Sequence, residues 1–201
     1  MTTYILFGGN DSDKTDAQNK NLRDAVLARL NGEKPRVASV MFASLREDWE
    51  WKFRDRRTPI FERLFDGNYE ARLVYPNNFR EDCAWANVIY LHGGDTTLLA
   101  YYLDQFDDLR EIFANKIVVG SSAGAEYPAE ICWEGDWREV RHYRGLLKIG
   151  VIPHFDSTYG ADFDPRGAID WKKAEQELRA ATDLPVYLLH EGEFEVFEEA
   201  D

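Results

Sequence analysis

The chain is 201 residues long, 44% hydrophobic and 14% aromatic, with 37 acidic against 24 basic side chains and a formal net charge of −13. That apolar content excludes a disordered chain, and the negative surface disfavours nucleic acid or an anionic membrane as partner. Two distant cysteines, Cys83 and Cys132, give neither a disulfide framework nor metal-type spacing.

In chain order, short apolar runs predict strands at Tyr4–Phe7, Val37–Met41, Ala71–Val74, Val88–Leu91, Ile117–Val119, Ile149–Ile152, Val186–Leu189 and Phe194–Phe197. Unbroken Val/Ile/Leu/Tyr runs suit strands covered on both faces of a largely parallel sheet. Helical spacing lies between them. Leu22, Ala25, Val26 and Leu30 share a face that stops at Asn31-Gly32; Leu98 to Phe106 and Ala174 to Ala181 repeat the pattern. The segment Ser44–Phe65 interleaves Trp49, Trp51 and Phe53 with Arg46, Arg54, Arg56 and Arg57. Glu47, Asp48, Glu50 and Asp55 break the basic run, so it reads as a charged helix packing its aromatics on the sheet or a partner subunit. The alternation predicts one α/β domain over residues 1–201, a three-layer sandwich with a doubly wound, mostly parallel sheet. The start at Met1 runs into a strand with no leader pattern, and no window reaches a membrane-span length; the cytoplasm is the expected compartment.

The chemistry concentrates at strand ends. Ile117-Val118-Val119-Gly120-Ser121-Ser122-Ala123-Gly124-Ala125 is a buried strand running into Gly-x-Ser-x-Gly and then a small-residue helix start, the sequence form of a nucleophile elbow. Ser122 is centred between the glycines and is the candidate nucleophile, and the Ala123 amide would face a developing oxyanion. Val88–Leu91 runs into His92-Gly93-Gly94-Asp95-Thr96, where Gly94 is the candidate second oxyanion donor and Asp95 or Thr96 can cap the next helix. Phe7-Gly8-Gly9-Asn10 ends another strand at the same edge without a full phosphate-binding fingerprint. Of four histidines, His154 in Ile152-Pro153-His154-Phe155 has the best context for a base, ahead of His190 and His92, while His142 lies in a charged stretch.

Four motifs in this order, Gly93-Gly94-Asp95-Thr96, Gly120–Ala125, Pro153-His154-Phe155 and His190-Glu191-Gly192, resemble the peptidase E and cyanophycinase family of serine peptidases over almost the whole chain. The resemblance implies a fold related to class I glutamine amidotransferases, with Ser122 as nucleophile, His154 as base, Glu191 orienting it, and Gly94 and Ala123 as oxyanion donors. Asp136 is the alternative acid and Glu126 a third. The sequence departs from the family's pattern at Asp95, where asparagine is usual, which places a negative charge near the oxyanion unless its side chain turns away to cap a helix.

The implied reaction is hydrolysis of short peptides with an N-terminal aspartate, through an acyl-enzyme, with no cofactor and no metal. Alternatives are a cyanophycinase-like or other small-substrate serine hydrolase, and a silent relative that binds a small molecule. Aspartate recognition needs a cation, for which Arg166 is the candidate, with Lys172 and Lys173 beside it. The expected partner is a small peptide; the sequence allows a homo-oligomer.

Overall fold

The computed structural model describes residues 1–9, 16–161 and 164–199. Among the described residues ten strands follow in chain order: β1 (Thr2–Phe7), β2 (Arg36–Val40), β3 (Glu70–Leu73), β4 (Val88–Leu91), β5 (Ile117–Ser121), β6 (Ala129–Glu134), β7 (Glu139–His142), β8 (Leu147–Pro153), β9 (Val186–Leu189) and β10 (Phe194–Glu199). They form a six-stranded sheet in the order β10-β1-β5-β4-β2-β3 and a four-stranded sheet in the order β7-β6-β8-β9. The larger sheet is parallel except where β10 returns antiparallel to β1; the smaller is parallel except at β7.

Both faces of the larger sheet are covered, and β1 shows how. Tyr4 and Leu6 enter one core, Ile5 and Phe7 the other, because side chains alternate across a strand. On the Ile5 side lie α1 (Asp16–Leu27) and α3 (Thr58–Phe65); on the Tyr4 side lie α4 (Phe79–Trp85), α5 (Thr96–Leu103) and α6 (Leu109–Phe113). The Tyr4-side core runs on into Ile149 and Val151 of β8, and α8 (Trp171–Ala181) packs Trp171, Ala174 and Leu178 against Ile131 and Ile152 of the smaller sheet. The layered α/β reading therefore stands, with Ile149–Ile152 and Val186–Leu189 in a second sheet rather than the first. That sheet was hidden because β6 carries Glu130 and Glu134 and β7 reads Glu-Val-Arg-His, neither an apolar run.

Asn31 and Gly32 both take positive φ just beyond α1, as the predicted stop requires. The segment read as one charged helix is instead a 3₁₀ turn (Arg46–Asp48), α2 (Trp49–Lys52), a π turn (Phe53–Arg57) and then α3. Trp49 is fully buried, with its indole N–H donating to the Ser44 carbonyl at 2.8 Å. Among the described residues no helix is long and apolar enough to cross a membrane.

Phe42, just past β2, is fully buried among the rings of Trp49, Phe79 and Tyr102 at centroid distances of 5.1, 5.9 and 5.1 Å. Phe42→Ala is expected to cost about 3–5 kcal/mol of folding stability in urea unfolding. A loss below about 1 kcal/mol would mean that this cluster is not closely packed.

Candidate active site

β5 ends in a turn that ordinary backbone avoids. Ser122 sits at φ 51°, ψ −113°, between Ser121 and the first residue of α7 (Ala123–Glu126). A non-glycine residue in such a conformation costs on the order of 1–3 kcal/mol and persists only where its surroundings over-determine it. They do so here. The Ser122 N–H donates to the Phe7 carbonyl at 3.1 Å, and the Ser122 carbonyl accepts from the N–H groups of Ala125 and Glu126 at 2.7 and 3.0 Å. A methyl group on Gly120 would lie 2.2 Å from the Gly124 carbonyl oxygen, and one on Gly124 2.1 Å from that of Leu91. The two glycines thus let β4, β5 and α7 pack backbone on backbone.

The second sheet supplies the imidazole. His154 follows β8 at φ 55°, with its N–H donating to the Gly8 carbonyl at 2.9 Å, across the junction of the two sheets. Its Nε2 is 3.0 Å from Ser122 Oγ and its Nδ1 is 2.7 Å from Glu191 Oε1. Glu191 stands in the turn after β9, where Glu193 N–H donates to the His190 carbonyl and Gly192 takes φ 75°. The structure thus brings Ser122, His154 and Glu191 into one hydrogen-bonded line. Nδ1–H faces the carboxylate, which leaves the Nε2 lone pair for the serine hydroxyl.

Asp136 is held elsewhere: it accepts from the Tyr159 hydroxyl at 2.7 Å. The Tyr159 ring in turn stacks on His154, with centroids 4.0 Å apart and planes 16° apart. Burial, with Asp136 beside it, pushes the Tyr159 phenol well up, so it stays a neutral donor. The remaining histidines have other neighbours. His92 is buried, its Nε2 2.8 Å from Ser39 Oγ and its ring stacked on Tyr90; His190 meets Phe155 edge-on; His142 is exposed on β7. Burial pushes the Cys83 thiol up to about 12, and Cys132 well above its ordinary value, so neither offers a thiolate at neutral pH.

Asp95 caps α5, accepting from the Leu98 N–H at 3.0 Å, so its carboxylate is committed to the helix start. Gly94 takes φ 144°, and a methyl group there would lie 2.2 Å from the Ala43 carbonyl oxygen, while one on Gly93 would lie 3.1 Å from Ser122 Cβ. Among the described residues neither the Gly94 nor the Ala123 N–H donates to a backbone carbonyl. Behind the elbow, Glu126 is buried and accepts from the Thr96 hydroxyl, while Glu134 accepts from the Tyr143 hydroxyl at 2.7 Å. Burial first and Glu134 second push Glu126 up to about 8.

An open crevice of about 730 Å³ lies in front of Ser122 and His154. Gly9 lines it, as the strand-end motif implied; Asn10 is outside the described residues. Arg166 does not line it. Its guanidinium is held on Asp164 at 2.7–3.0 Å and reaches the Trp137 carbonyl at 3.2 Å, contacts that fasten the loop. Lys173 lines a separate hollow beside Trp133 and Arg138. Among the described residues the cations of the crevice are Arg56, Arg57 and Arg63, from the π turn and α3. Sequence reasoning missed them, and missed Tyr159; the one signal was an arginine run inside a strongly acidic chain.

No family model and no curated protein matches the chain. Solved structures share its fold. One, of a peptidase from an acI-B1 Actinobacterium, superposes with a TM-score of 0.68 at 20% identity, covering 98% of this chain and 83% of the other. Another, named "a Putative Peptidase E Protein from Listeria monocytogenes EGD-e", gives 0.63 at 16% identity over 100% of both chains.

The raised Glu126 makes stability pH-dependent. The folded protein keeps a proton that the unfolded chain releases above the ordinary value of 4.5, so stability is lost as pH rises from there through about 8. Melting temperature followed from about pH 5 to pH 8 should fall more steeply for the parent than for Glu126→Gln, which cannot ionise. Parallel curves would show that Glu126 ionises freely in the folded protein.

Proposed function

We propose that the chain is a serine hydrolase, a peptidase that cleaves short peptides after an N-terminal aspartate through an acyl-enzyme. One observation carries the reading: the Glu191–His154–Ser122 line, with its serine held at positive φ on a strand-to-helix turn. The fold shared with structures named as peptidases supports it.

In this mechanism Ser122 Oγ attacks the scissile carbonyl while His154 Nε2 takes its proton, and Glu191 stabilises the imidazolium through Nδ1–H. The N–H groups of Gly94 and Ala123 receive the oxyanion as charge moves onto the carbonyl oxygen. The tetrahedral adduct collapses as the imidazolium gives its proton to the leaving amine, which departs and leaves an ester on Ser122. Water then enters by the same route: its oxygen bonds to the acyl carbon as His154 takes one of its protons, and the second oxyanion collapses by breaking the bond to Ser122 Oγ, which takes that proton from the imidazolium as the carboxylic acid product leaves. Tyr159 stacked on the imidazole keeps the ring plane fixed between serine and glutamate, and its π face favours the cationic form.

Ser122→Ala is expected to abolish labelling by a fluorophosphonate and to lower peptide hydrolysis by about 10⁴-fold or more, with the fold intact by circular dichroism. Activity at the parent level would end the assignment of the nucleophile. Glu191→Gln should cut kcat by about 10⁴-fold, the scale for loss of the carboxylate that fixes the histidine tautomer. Asp136→Asn, which keeps a hydrogen-bonding oxygen for Tyr159, should cost about tenfold or less on the same substrate. The reverse ranking would move the orienting role to Asp136.

A further inference from the structure

We propose that Arg56 and Arg63 form a clamp for a carboxylate of the substrate, a reading that takes its chemistry from the hydrolase assignment above. The observation is one of distribution. Every described arginine away from the crevice has a carboxylate within 3.8 Å, from Arg23 with Asp66 to Arg179 with Glu175. In a chain of net charge −13 that is the expected state for a guanidinium. Arg56 and Arg63 are the exceptions among the described residues: both line the crevice that holds Ser122 and His154, and neither has an ion pair with a described carboxylate. Arg57 stands on the same wall. Among the described residues the one acidic side chain there, Asp55, is already engaged by two Arg54 nitrogens at 2.6 Å.

The backbone arranges this. The π turn Phe53–Arg57 widens the helix between α2 and α3, and two consecutive arginines, Arg56 and Arg57, line one crevice. Arg63 follows from α3. The Arg56 guanidinium lies over the Trp51 ring at 5.1 Å, which restrains it and leaves its edge N–H groups available. Asp48, ion-paired to Lys52 at 2.9 Å, feels the Arg56 charge from beyond ion-pair distance. Arginines with no carboxylate at contact distance in a concave wall concentrate positive potential where a substrate must enter, and the planar fork matches a carboxylate. A substrate of Ser122 must carry an acyl group, so its anion in a short peptide is either an acidic side chain or the terminal carboxylate. Both present the same chemistry to the clamp.

The test uses the full chain carrying Ser122→Ala, which binds without turnover, and three ligands: Asp-Leu, Asn-Leu and the C-terminal amide of Asp-Leu. Calorimetry should show Arg56→Ala/Arg63→Ala weakening Asp-Leu binding by about 10²-fold, the scale for losing charged hydrogen bonds. The ligand whose missing carboxylate is the one clamped should bind the parent weakly and lose little more on the double substitution, because the two deletions remove one interaction. Insensitivity to the double substitution confined to Asn-Leu identifies the side-chain carboxylate; insensitivity confined to the amide identifies the terminal one. Arg166→Ala serves as the control and should bind all three ligands as the parent does. Equal binding of all three by the double variant and its parent overturns the clamp, as does equal weakening of all three, or failure of the parent to bind any. Failure of the hydrolase reading shows separately, as absence of fluorophosphonate labelling and of hydrolysis by the chain with Ser122 intact, while the binding series keeps its outcome.

Discussion

The backbone-on-backbone contact of β4, β5 and α7 is the constraint on which the site rests. Gly120 against Gly124, and Gly124 against Leu91, leave no space for even a methyl group, and that closeness forces the chain through the Ser122 turn. A looser packing would let Ser122 relax into an ordinary conformation, and its hydroxyl would swing away from the imidazole. The turn's own strain, on the order of 1–3 kcal/mol, is offset by the three backbone hydrogen bonds that Ser122 makes with Phe7, Ala125 and Glu126. Rigidity here comes from main chain rather than from side-chain packing, which makes it insensitive to most substitutions and very sensitive to those at the two glycines.

The same logic extends across the two sheets. Ser122 belongs to the larger sheet, His154 and Glu191 to the ends of β8 and β9 in the smaller one. What joins them is the carboxyl end of β1: the Gly8 carbonyl accepts from the His154 N–H, and a side chain on Gly8 would collide with the Leu189 carbonyl at 2.1 Å. Strand ends gather at this seam because parallel strands deliver their carboxyl ends to one edge. The crevice is the opening of that seam, and the π turn with α3 forms its far wall.

What was legible in the sequence follows from how local each feature is. Ser122, His154 and Glu191 each follow an apolar strand within one or two residues, so their places at the edge could be read from strand plus turn chemistry, and the structure sets them in hydrogen-bonding order. The cap at Asp95 was equally local. β6 and β7 were not, because Glu134 is buried by tertiary packing against Tyr143 and Arg141, which no period-2 pattern announces. That Arg56 and Arg63 line the crevice was not legible for a related reason. Arg56 and Arg63 differ from paired surface arginines only in what fails to lie beside them, a relation between distant segments. Arg166, two residues from Asp164, was closed off by a neighbour that composition alone did not flag.

The last strand to appear in the chain, β10, zips antiparallel onto the first, β1, in register from Thr2 with Glu199 to Phe7 with Phe194. Glu191 sits immediately before that closing strand. A chain emerging from the ribosome therefore presents Ser122 long before Glu191, the hydrogen-bond partner of His154, and the β1 edge that β10 will occupy stays open until then. Domains assemble as units once their parts are available. The hydrogen-bonded line through Ser122 can form only after β9 and the turn that carries Glu191 have been made, so a nascent peptide that ends before them holds the serine without its two hydrogen-bond partners in line.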